Sequence, residues 1–223
     1  MKNLYLTINI IIFFQEKKKA KTILSELKNN TSIDTEKKLK VLAVGGEFGL
    51  IEYNLSNWTK WDIITSDMDE KSIKRYPQIN EYVKTMVLDA TKLHFKDNTF
   101  DLIIFNHVIE HIIDYKKAAN ELFRVLKKGG IMYVATPNLY RLLLKPTLLF
   151  MTKENISDEK RIQYHLGFSV SELIDILKLA SELKNISKEH MIANSGIVGI
   201  FLRTYPKSFF NRYSQTNVFI CIK

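Results

Sequence analysis

Between Val41 and Ala135, short continuous apolar runs alternate with segments whose apolar positions recur every three or four residues, the spacing of buried strands and half-buried helices. The runs are Val41-Leu42-Ala43-Val44, Ile63-Ile64-Thr65, Thr85-Met86-Val87-Leu88, Leu102-Ile103-Ile104-Phe105 and Ile131-Met132-Tyr133-Val134-Ala135. Unbroken apolarity marks strands covered on both faces, as in a parallel sheet. Ala118, Leu122, Phe123 and Leu126 line one face of a helix that Gly129 and Gly130 are expected to end. Strand and helix in alternation predict an α/β, doubly wound, Rossmann-like sheet, mostly parallel with an antiparallel last strand.

The flanks follow other patterns. Ala20, Ile23, Leu24 and Leu27 predict a leading helix over 16–29 with lysines on its outer face. The apolar run Leu4 to Phe14 is too short for a bilayer and is followed by Gln15 and lysines, not by small residues of a cleavage site. It reads as a buried or interfacial segment. Past Pro137, the apolar stretch to Met151 is interrupted by Arg141, Lys145 and Pro146, and charged residues follow to Arg161, which predicts an inserted lid over about 139–166. Ser169 and Glu172 form a capping box for a helix with apolar Leu173, Ile174, Ile176, Leu177 and Ala180. The chain from Ile186 and the run Val218 to Ile222 supply the last strands. The expected organisation is an N-terminal helical extension, 1–36, and one Rossmann-like domain, 37–223.

Length and composition narrow this picture. The 223 residues suit one α/β domain better than two. A single cysteine, Cys221, excludes an internal disulfide and a cysteine-built zinc site, and suits the cytoplasm. The net charge of +9 divides into +5 over 1–40, −1 over 41–139 and +5 over 140–223, so the central segment is close to neutral. No stripe interleaves basic residues with aromatics, and no nucleic-acid partner is expected. Oligomeric state is left open.

Candidate chemistry gathers at strand ends. Gly45-Gly46-Glu47-Phe48-Gly49 follows the first strand, where a doubly wound sheet binds ligands and where glycines let backbone amides come close. Asp67 ends the second strand about twenty residues later, placed to accept hydrogen bonds from a ribose. An isolated strand-end glycine turn or aspartate is as readily structural.

Further motifs continue the series: Val87-Leu88-Asp89-Ala90, then Asp97-Asn98-Thr99-Phe100-Asp101, His107-Val108-Ile109-Glu110-His111, and Glu121 through Gly130. Together they resemble the class I S-adenosylmethionine-dependent methyltransferases, specifically the small-molecule branch similar to ubiquinone and menaquinone biosynthesis enzymes. The resemblance covers roughly 40–140 and a stretch from His165 to about Ala180. It implies a site for S-adenosyl-L-methionine built from Gly45, Gly46, Glu47, Gly49, Asp67, Met68, Asp89, Ala90 and Asn106, with Asp89 at the adenine amino group and the Ala90 amide at the ring. It implies His107 as a catalytic base, and His165 and Asn138 facing substrate.

Two positions depart from the family: Ala43 stands where an acid is usual, and Glu47 where the middle glycine is usual. Glu47 either crowds the methionine moiety or supplies the missing acid. An inactive, scaffolding relative therefore stays open beside the enzyme. A metal site from His107 and His111 lacks a third ligand at matching spacing, so none is expected. The dinucleotide fingerprint G-x-G-x-x-G is absent, which disfavours a dehydrogenase. Asn106-His107-Val108-Ile109 lacks the two prolines and aromatic residue of base-amine methyltransferases. The resemblance thus favours a hydroxyl or carbon on a small molecule, sugar or lipid-linked acceptor. Arg141 to Phe150 and Ile197 to Arg212 suit membrane-surface contact or, equally, a buried cap.

Overall fold

The five apolar runs lie side by side in one sheet, whose inner strands are too apolar to leave either face in water; the third run, at the sheet edge, is the exception, with Met86 38% and Val87 52% exposed. The computed structural model describes residues 2–46, 49–74, 83–139, 157–159, 167–186 and 216–223. Its elements in chain order are α1 (Lys2–Asn30), β1 (Lys40–Val44), α2 (Leu50–Trp58), β2 (Asp62–Asp67), α3 (Glu70–Lys74), β3 (Lys84–Val87), β4 (Phe100–Asn106), a single 3-10 turn (Ile109–His111), α4 (Tyr115–Val125), β5 (Leu126–Pro137), α5 (Val170–Leu177), β6 (Glu182–Asn185) and β7 (Thr216–Ile222). The strands form one seven-stranded sheet in the order β3-β2-β1-β4-β5-β7-β6. Strands β1 to β5 pair in parallel, and β7 runs antiparallel to both β5 and β6.

The order reverses at β1, which pairs β2 on one side and β4 on the other. Alternate side chains of β1 feed two cores. Val41 and Ala43 join Ala20, Ile23 and Leu27 of α1 and Leu50, Ile51 and Leu55 of α2. Leu42 and Val44 join Leu122 and Phe123 of α4 and Leu173 and Leu177 of α5. With helices on both faces, the ligand-accessible part of the sheet is its edge of carboxyl strand ends.

Three sequence readings shift. The leading helix is longer than 16–29 and takes in the apolar run Leu4 to Phe14, running Lys2–Asn30. The third strand covers Lys84–Val87, so Leu88 falls just beyond it. The helix before the fifth strand ends at Val125, not at the glycines: Leu126 is already extended and pairs with Phe100, and Gly129, at φ 73, lies within the span of β5. Pairing with β4 there outweighs the helix-ending tendency of Gly-Gly. The capping box is present, Ser169 and Glu172 each receiving the other's backbone N–H. The lid segment falls mostly outside the described residues. Among the described residues no helix is long and apolar enough to cross a membrane.

Candidate functional site

Gly45 and Gly46 continue β1 beyond its last paired residue. Gly45 has φ 70, and a Cβ on it would collide with the isopropyl group of Val108. A Cβ on Gly46 would collide with the Thr65 hydroxyl, while the Gly46 N–H donates to the Ser66 carbonyl at 2.9 Å. Neither position tolerates a side chain, which fixes the turn close against β2 and the loop after β4. Gly49, at φ 66, is the N-cap of α2 and donates to the Gly46 carbonyl at 2.7 Å.

Beyond this turn opens a cavity of about 640 Å³, within the usual range for small-ligand sites. Val44 and Gly45 contribute from β1, Asp67 and Met68 from the end of β2, Leu88 to Thr91 from beyond β3, and His107, Val108 and His111 to Asp114 from the loop after β4. Asp67 accepts the Asp69 N–H at 2.9 Å, which orients its carboxylate at the strand end. Asp89 accepts both the backbone N–H and the hydroxyl of Thr91 at 2.8 Å, and the backbone bond foremost holds its carboxyl below the usual range. Met68 at 74% and Ile113 at 67% exposure hold large apolar surfaces in the open at the cavity.

The loop carrying Asp89 and Ala90 is pinned from α4. Arg124 donates to the carbonyls of Leu93 and Phe95 and to the Asp97 carboxylate, each at 2.8 Å, and Glu121 accepts the Leu93 N–H at 2.9 Å. Arg124 in turn keeps the Glu121 carboxyl low, chiefly by its hydrogen bond.

On the opposite wall, His107 stands at φ 57, a left-handed backbone that costs a non-glycine residue roughly 1–2 kcal/mol and is met most often where function demands it. Its N–H is held by the Ala135 carbonyl at 2.8 Å. Its Nδ1 lies 3.5 Å from Oε1 of Glu110, and the other oxygen of this buried carboxylate accepts the Thr136 hydroxyl at 3.0 Å. Thr136 is a residue that apolar patterning along β5 gave no reason to single out.

The sequence-predicted residues therefore divide. Gly45, Asp67, Met68, Asp89, Ala90 and His107 line one cavity. Gly46 and Gly49 shape the turn behind it, and Asn106 closes β4 opposite Ala135. Asn138 is buried in a bridge with Phe168, away from that lining. Glu47 and His165 lie outside the described residues. Thr91, Val108 and Ile113 line the cavity too and were not singled out as site residues, because nothing local separates them from packing residues. Among the described residues no group of three or more His, Cys, Asp or Glu is placed to hold a metal ion.

Residues 42–134 match the family described as Methyltransferase domain. An uncharacterised protein of Methanocaldococcus jannaschii is 34% identical over 149 residues, 66% of this chain and 58% of that protein. The demethylmenaquinone methyltransferase of Clavibacter sepedonicus is 28% identical over 142 residues, 57% of this chain and 56% of that enzyme. The chain thus spans about half the length of these curated relatives. Among solved structures, a Pyrococcus horikoshii protein superposes at a TM-score of 0.62 with 18% identity, over 92% of this chain and 89% of that one. The Haemonchus contortus phosphoethanolamine N-methyltransferase 2, in complex with S-adenosyl-L-methionine, superposes at 0.58 with 18% identity, over 90% of this chain and 51% of that one. These two likenesses concern the fold.

Proposed function

We propose that this chain, whose residues 42–134 match the Methyltransferase domain family, is a class I S-adenosylmethionine-dependent methyltransferase that binds S-adenosyl-L-methionine and transfers its methyl group to a small-molecule acceptor. The observation that carries this is the cavity at the carboxyl ends of β1, β2 and β4, lined by Asp67 and Asp89 and by Gly45, where a Cβ would collide with Val108. The residues fit the cofactor: a carboxylate at the end of β2 for the ribose hydroxyls, Asp89 with the Ala90 amide for the adenine edge, Met68 and Ile113 for its faces, and the Gly45–Gly46 backbone for the amino-acid tail. Glu47, Gly49 and Asn106 complete the proposed binding set. His165 is proposed to face substrate; Asn138, buried in its bridge with Phe168 and outside the cavity lining, is not carried forward as a substrate contact.

When bound, the cofactor supplies an activated methyl on a sulfonium. The chain has then to hold the acceptor in line, keep water out and receive a proton where the acceptor carries one. His107 is the residue proposed to take that proton, with Glu110 orienting its ring from below. Thr136, by donating to Glu110, keeps that carboxylate turned toward His107. A hydroxyl or carbon on a small molecule, sugar or lipid-linked group is the proposed acceptor. One Rossmann-like domain over 37–223, with a lid at about 139–166 and an extension over 1–36, is the proposed organisation, and the cytoplasm the proposed compartment. The apolar, basic lid segments would touch a membrane surface if the acceptor is lipid-linked.

Isothermal calorimetry tests the reading. The wild type should bind S-adenosyl-L-methionine, and Asp67→Ala should weaken binding at least tenfold, since each charged hydrogen bond to a ribose hydroxyl contributes about 1.5–3 kcal/mol. No cofactor heat with the wild type would leave only the scaffolding alternative. Binding that ignores the Asp67 change would remove the ribose assignment.

A further inference from the structure

Glu52 stands third in the nine-residue helix α2, directly behind the Gly45–Gly46 turn. Its residue is only 3% exposed, and its Oε2 has no hydrogen-bond partner. That oxygen is 3.4 Å from where a Cβ on Gly46 would sit, so the carboxylate is aimed at the underside of the turn. The same Cβ would meet the hydroxyl of Thr65, which pairs in register with Ala43. Parallel neighbours in register present side chains to one face. The methyl group of Ala43 is thus on the face that Glu52 and Thr65 occupy, and it brings no polar group there.

A buried carboxylate oxygen without a donor is costly, and a ligand or ion that completes it relieves that cost. Among the described residues, the charge acting on Glu52 is that of Glu16 on α1, of the same sign. The lining of the cavity reaches this turn at Gly45. A cation entering there is what the arrangement lacks.

We propose that Glu52 is the acidic group that receives the positively charged amino group of the ligand's amino-acid tail, from beneath the Gly45–Gly46 turn. This rests on the S-adenosylmethionine reading above. It moves the acid from the strand to the helix, and it makes Glu47 unnecessary for that contact.

The test compares two probes, S-adenosylhomocysteine and its analogue with hydrogen in place of the amino group, titrated calorimetrically into wild type and Glu52→Gln. The glutamine keeps the size and hydrogen-bonding reach of the side chain, and circular dichroism melting verifies that the variant folds. Glu52→Gln should weaken S-adenosylhomocysteine about tenfold or more and leave the deamino analogue within about twofold, as loss of one charge-assisted contact predicts. A loss shared equally by both probes, or no loss, overturns the assignment while the cofactor reading stands. Failure of the wild type to bind either probe removes both.

Discussion

Burial beside Glu16 raises the Glu52 carboxyl from its ordinary 4.5 to about 7, burial being the larger cause. Its folded-state affinity for a proton exceeds that in the unfolded chain, so the folded protein holds a proton between those values that the unfolded chain has released. Stability from this group is complete below about pH 4.5 and is lost as pH rises toward 7, a change on the order of 3 kcal/mol. Urea titrations at pH 5 and pH 7.5 should show the wild type losing stability over that interval and Glu52→Gln losing much less; parallel behaviour of the two proteins would mean that Glu52 stays ionised. Asp89 works in the opposite sense. Its carboxyl is held low by Thr91, so its contribution is present above the ordinary carboxylate range and fades as acid protonates it. Exposure makes that effect small beside Glu52.

Among the elements, α1 is the one whose role depends most on its partners. Ala20, Ile23 and Leu27 are buried against the core shared with α2 and the sheet, and the Tyr133 hydroxyl of β5 donates to Oε2 of Glu26 at 2.7 Å inside that interface. Tyr133→Phe withdraws the donor from a buried carboxylate, which should cost about 1–3 kcal/mol. Equilibrium unfolding monitored by circular dichroism checks this, and a loss below about 0.5 kcal/mol would show that the bond contributes little beyond its exchange with water. The helix is thus held by sheet contacts contributed from more than a hundred residues away. That explains why periodicity found its second half, where apolar spacing is regular, and gave no helical reading for the first. It also explains the boundary of α4, where pairing of Leu126 with Phe100 set the start of β5 ahead of the glycines.

For the whole molecule, a ligand that binds only the folded chain stabilises it by mass action. S-adenosylhomocysteine at a hundred times its dissociation constant should add about 2.7 kcal/mol, which for a domain of this size raises the melting temperature by roughly 5–10 °C. Differential scanning fluorimetry reads this directly, and an unmoved melting temperature at that saturation would contradict binding to the folded state. How far such a site was legible in the chain follows from what local pattern can encode. Continuous apolar runs and their alternation with helical spacing determined the sheet class, because strands covered on both faces are mostly apolar. Asp67, Asp89 and the glycine turn were legible because each sits at a strand end, and in a parallel sheet those ends converge. Which helix residue lies under the turn, which hydroxyl holds Glu110, and which apolar side chains stand open at the cavity were decided by tertiary packing alone. Glu52 reads in sequence as an ordinary charge on a helix, and only the crossing of α2 behind Gly46 buries it and leaves its oxygen unpaired.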